Sequence, residues 1–125
     1  GASQMRIERL PARAGRRSGA SAYKDLVWAV ATADDRSEGV ERQATQAFTK
    51  IDALLQELGS ASDRIITVAV YLADIGRKAE LDLAWDRWVP QDSSRWPMRS
   101  CVQAGLASGV LIEVVVTAVR DLEEN

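Results

Sequence analysis

Apolar positions recur along the chain with two periods, and each change of period marks a new element. Between residues 40 and 58, Ala44, Phe48, Ile51, Leu55 and Leu58 follow the i, i+4, i+7 spacing of one buried helical stripe, and Gly59 stands where such a helix ends. Residues 77–88 repeat the pattern with Leu81, Trp85 and Trp88, and Pro90 closes it. Elsewhere, alternation or unbroken β-branched runs predict strands. A weak one covers residues 5–10, two short ones lie between 20 and 33 with Lys24-Asp25 in turn position, and one covers 65–72. Two more cover 96–103 and 110–119, with Gly105, Ser108 and Gly109 punctuating the gap between them.

This order predicts a single α+β domain over residues 1–125, a mixed sheet with two helices on one face. The other face still carries Val, Leu and Ile, so it is expected to be buried by further copies of the chain in a closed homo-oligomer. Residues 110–119 are apolar on both faces, which makes the Glu113 carboxylate in their middle the most unusual residue of the sequence.

If strands 96–103 and 110–119 form a hairpin turning near Ala107, facing residue numbers sum to about 214. Arg99, Cys101 and Gln103 then share a face with Glu113 and Thr117. Cys101 lies opposite Glu113, and Arg99 is one diagonal step away. A guanidinium, a thiol and a carboxylate would meet on an apolar sheet. Such a cluster is either a functional constellation or a structural Arg99–Glu113 ion pair with Cys101 as small core filler.

Charge and composition narrow the chemistry. Lys and Arg number 16 against 18 Asp and Glu, a formal net charge of −2. No basic stripe points to nucleic acid or an anionic membrane, and Arg16 and Arg17 read as solvated loop charge. No apolar run is long enough to span a membrane and no signal peptide is recognisable, so a cytoplasmic setting is expected. Residues 1–4 precede the first Met, fit a cloning remnant and are set aside. One cysteine makes no internal disulfide, and the absence of histidine excludes the His-dependent zinc, Cys-His and Ser-His-Asp arrangements. No metal or cofactor is expected, and proton transfer falls to Glu, Asp, Tyr, Cys, Lys or water. Trp85 and Trp88 read as core at helical spacing, whereas Trp28 and Trp96 flank the presumed pocket as wall or core.

Three segments carry a resemblance: Gln43-Ala44-Thr45-Gln46-Ala47-Phe48, residues 66–74, and above all Trp96-Pro97-Met98-Arg99-Ser100-Cys101-Val102 with Ile112-Glu113-Val114. Over residues 18–120 the chain resembles the Rid (YjgF-type, RidA) family of imine and enamine deaminases. The resemblance implies a chorismate-mutase-like fold, assembled as a homotrimer with pockets between subunits. By position, Arg99 resembles the arginine that holds the substrate carboxylate, Cys101 the pocket cysteine, and Glu113 the residue that orients water. Val30 or Ala31 stands where the family places a glycine near the substrate, and Asp82 occupies a position that is often asparagine. Arg17 or Ser18 replaces the loop tyrosine of many deaminases, and the turn between Cys101 and Glu113 is one residue shorter. With Trp28 and Trp96 as pocket walls, the implied activity is hydrolysis of small reactive 2-imino or 2-enamino acids to 2-keto acids and ammonia. The alternative is a non-catalytic sensor or accessory protein that uses Arg99 to bind a small carboxylate.

Overall fold

The computed structural model describes residues 6–120, so Met5 and the set-aside residues 1–4 lie outside the described residues. Eight elements follow in order: β1 (Glu8–Pro11), β2 (Ser18–Tyr23), β3 (Leu26–Thr32), α1 (Val40–Glu57), β4 (Ile65–Leu72), α2 (Lys78–Trp88), β5 (Met98–Gln103) and β6 (Ile112–Val119). They form one mixed sheet with both helices on the same face, as the two periods predict.

Local chemistry explains the punctuation. Lys24 and Asp25 are the two-residue turn between β2 and β3, with Lys24 in the left-handed region at φ 53. The C-terminal end of α1 uses Gly59 at φ 85, with Ser60 N donating to Leu55 O and Gly59 N to Gln56 O, so the last turn leaves few carbonyls unpaired. The stripe of α1 buries Ala44, Phe48, Ile51 and Leu55 against Val27, Ala29 and Ala31 of β3 and Val114, Val116 and Ala118 of β6.

The sheet order is β1-β2-β3-β6-β4-β5, and it overturns the hairpin expected between β5 and β6. β6 lies between β3 and β4, antiparallel to both, while β5 pairs parallel to β4 at the edge. Two features favour this arrangement. α2 is the crossover that a parallel β4–β5 pair requires, and residues 104–111 are long enough to carry the chain past the end of β4. The strand that is apolar on both faces takes the centre, and the more polar β5 takes the edge. Backbone bonds from Ala104 N to Leu72 O and from Ala73 N to Leu111 O tie the crossing together.

The register assigns every strand residue to a face. Ala31, Val114, Val70 and Cys101 form one row, and Ala29, Val116, Val68 and Arg99 the next, all facing the helices. Thr32, Glu113, Tyr71 and Val102 form a row on the open face, beside the row Val30, Val115, Ala69 and Ser100. Apolar side chains stay exposed there, with Met98 at 67% and Val102 at 49%.

Candidate functional site

Arg99 reaches the helix layer from the edge strand because its row also holds the buried Val68 and Val116. On α2, Lys78, Asp82 and Trp85 follow at i, i+4 and i+7 and so share one face of the helix. Arg99 Nη1 donates to Asp82 Oδ1 at 2.9 Å, and Lys78 Nζ donates to Asp82 Oδ2 at 2.8 Å. The guanidinium lies over the Trp85 ring, 4.8 Å from its centroid, a cation–π contact. With its side chain only 19% exposed, Arg99 makes no other hydrogen bond or ion pair among the described residues, so its Nε and Nη2 are open.

Partial burial pushes the Asp82 carboxyl up, but the Lys78 and Arg99 hydrogen bonds and charges outweigh it and hold the group below the ordinary aspartate value. Cys101, two residues on and on the same face, is a half-buried free thiol. Burial pushes it above the ordinary thiol value despite the nearby Arg99 and Lys78 charges, so it is neutral at pH 7.

Glu113 lies elsewhere. Its row, Thr32–Glu113–Tyr71–Val102, is on the open face, so the expected meeting of Arg99, Cys101 and Glu113 on one face of one chain does not occur. The period of two is decisive, because Cys101 is level with Val114, one residue away from Glu113. Nor do Arg99 and Glu113 form the structural ion pair that was the bland alternative, since the partner of Arg99 is Asp82.

Near Glu113, the open face carries a cavity of about 220 Å³ lined by Ser18, Gly19, Ser21, Trp28, Val30 and Val115. Val115 lies two residues from Glu113 on the same face. Of the pair named for the glycine position, only Val30 presents a side chain to this cavity, because Ala31 is buried in the core beneath α1. Trp28 lines the cavity, whereas Trp96 is 57% exposed and donates its Nε1 to Pro90 O at 2.8 Å, so it is not core. Trp88 stacks on Phe48 at 4.3 Å between centroids, as expected of a core residue. Trp85 packs beside both and also carries Arg99.

Sequence reasoning missed Lys78 and the Trp85 platform. The signal was present in the i, i+4 pair Lys78 and Asp82 and the i+7 Trp85, but linking them to Arg99 required the parallel β4–β5 pairing.

The fold and the sequence have counterparts among known proteins. A family model described as Endoribonuclease L-PSP matches residues 25–120. A RutC family protein of Haemophilus ducreyi is 33% identical over 85 residues, covering 67% of this chain and 71% of the relative. A 2-iminobutanoate/2-iminopropanoate deaminase of Salmonella typhimurium is 28% identical over 85 residues, covering 67% of this chain and 66% of the relative. Among solved structures, an uncharacterized protein from Pseudomonas aeruginosa superposes with a TM-score of 0.85 at 32% identity, over 93% of this chain and 100% of that one. A YjgF family member from Neisseria meningitidis gives 0.82 at 29% identity, over 95% and 98% of the two chains. Sheet order, helix layer and the sequence from β3 to the end of β6 thus agree, and the chain belongs to the YjgF (Rid, RutC) family.

Proposed function

We propose that the protein hydrolyses small 2-imino and 2-enamino acids to 2-keto acids and ammonia, in pockets shared between copies of the chain. The observation that carries this reading is the open Nε–Nη2 edge of Arg99, whose guanidinium lies over the Trp85 ring on a side chain only 19% exposed. A guanidinium edge of that kind receives a carboxylate through two parallel hydrogen bonds. Glu113 faces the opposite side of the same sheet, so the two groups belong to one pocket only when Arg99 of one copy meets Glu113 of another. The exposed Met98, Val102 and Trp28 supply apolar area for that contact. A homotrimer is expected, with light scattering giving about three times the 13.7 kDa chain mass.

In the reaction, Arg99 orients the substrate carboxylate and Glu113 takes a proton from water as the oxygen attacks the C=N carbon. The tetrahedral intermediate then collapses, a proton passes to nitrogen, and ammonia leaves as the C=O bond forms. An enamine enters the same route after protonation at its carbon gives the imine. No step needs a metal or cofactor, and the setting expected from sequence is cytoplasmic. RNA cleavage, named in the family model's description, has less support from a chain of net charge −2 without histidine.

The separation of Arg99 from Glu113 within one chain favours a second reading, a carboxylate-binding sensor or accessory protein, should assembly not unite them. Ammonia release from imines generated in situ by an amino-acid oxidase, measured beside calorimetric binding of 2-oxobutanoate, separates the two. For an enzyme, Arg99→Ala loses binding and turnover together. Glu113→Gln keeps binding while turnover falls by about 100-fold or more, the scale of general-base loss. Binding without ammonia release from any imine selects the sensor.

A further inference from the structure

Arg99 has two edges through which it could grasp a carboxylate, and Asp82 already takes one donor, Nη1. The second oxygen of Asp82 is tied to Lys78, so the carboxylate is held from both sides and does not swing away. Trp85 adds a cation–π contact, with its ring centroid 4.8 Å from the guanidinium carbon. What is left for a ligand is the Nε–Nη2 edge. The cluster of two cations and one anion leaves a single positive charge to be neutralised, with a fixed negative charge beside the place where a ligand carboxylate would dock.

We infer that Asp82, anchored by Lys78, is a positioning residue that confines Arg99 to one open edge and sets the pocket for monocarboxylates over dicarboxylates. The inference deepens the proposed function and rests on Arg99 being the carboxylate site. A ligand with one carboxylate completes the neutralisation, whereas a second carboxylate brings like charge toward Asp82, whose two cationic partners among the described residues are already engaged. An asparagine at this position would still accept from Nη1 through its amide oxygen, but would not repel. Charge at residue 82 therefore sets selectivity, and the acceptor atom sets the arginine's orientation.

The test is calorimetric titration of 2-oxobutanoate and oxaloacetate, which share a four-carbon chain and differ in a terminal methyl against a carboxylate. Wild type, Asp82→Asn, Asp82→Ala and Arg99→Ala are compared. Wild type is expected to prefer 2-oxobutanoate, and Asp82→Asn to shrink that preference about tenfold, the scale of one neighbouring charge in a partly screened site. Asp82→Ala, which frees the guanidinium, is expected to weaken both ligands. A merely structural role would lower thermal stability and leave the ratio of affinities unmoved. A ratio in folded Asp82→Asn within about twofold of wild type overturns the inference while the proposed function stands. Undiminished binding in Arg99→Ala, or no keto-acid binding by wild type, removes the carboxylate site itself, and both fall.

Discussion

Trp88 donates its indole N–H to Asp52 Oδ1 at 2.9 Å, joining the last turn of α2 to the middle of α1. Burial raises the Asp52 pKa, and the Trp88 hydrogen bond offsets only part of that rise. A carboxyl whose folded pKa is raised stabilises the fold below its unfolded pKa, and that contribution is lost as pH rises through the folded pKa. At neutral pH the charge on Asp52 is therefore a cost. Asp52→Asn keeps an acceptor for Trp88 and removes the charge, so it should stabilise the protein by a few tenths to about 1 kcal/mol at pH 7. Urea melts at several pH values would show the gain fading as pH falls from the raised folded pKa toward the ordinary aspartate value, and gone below it. Asp52→Ala should instead destabilise by about 1–3 kcal/mol, because the half-buried indole N–H loses its partner.

Gln43 should prove the costliest polar residue to remove. It is fully buried on α1, donates Nε2 to Glu38 O at 2.9 Å and Gly109 O at 3.0 Å, and accepts from Leu111 N at 3.0 Å. Gln43→Leu preserves volume but leaves those backbone groups unpaired, so a loss of about 3 kcal/mol or more is expected in chemical denaturation.

Cys101 should tolerate substitution. Burial keeps its thiol protonated at pH 7, and the proposed reaction uses water as nucleophile. Cys101→Ser and Cys101→Ala should keep ammonia release within about tenfold of wild type. Complete loss in a folded variant would show that the thiol takes part directly.

Binding of 2-oxobutanoate should stay flat between about pH 5.5 and 8. Asp82 is held below the ordinary aspartate value, so its ion pairs persist across that window and fail only as pH falls through its own lowered pKa. Cys101 gains no charge there either, its pKa being raised. A titration step inside the window would show that another group contacts the ligand.

Lys24 is the described non-glycine residue with positive φ, and its carbonyl accepts from Arg120 Nε at 2.7 Å. Lys24→Asn keeps the carbonyl and suits the left-handed backbone better, so a gain of about 0.5–1 kcal/mol in thermal or chemical unfolding is expected.

Much of this fold was legible because periodicity reports local environment. The stripe of α1, its end at Gly59 and the turn at Lys24-Asp25 all follow from neighbours close in sequence. Strand neighbours were not legible in the same way. The residues of β5 and β6 suited a hairpin, and only the α2 crossover and the demand for a two-sided apolar strand at the centre placed β6 between β3 and β4. That single misplacement carried Glu113 to the wrong face relative to Arg99. Residue types at the site could be read from the sequence, but their separation across the sheet depends on pairings between distant segments.

The position of β6 also bears on how the protein comes to be folded. The strand that bridges β3 and β4 is the last of the described strands to leave the ribosome, so the earlier ones wait with unpaired edges until residues 112–119 emerge. The sheet can be completed only after nearly all of the described chain has been synthesised. Refolding should be paced by this distant insertion rather than by the helices, and partly made chains would expose strand edges to one another.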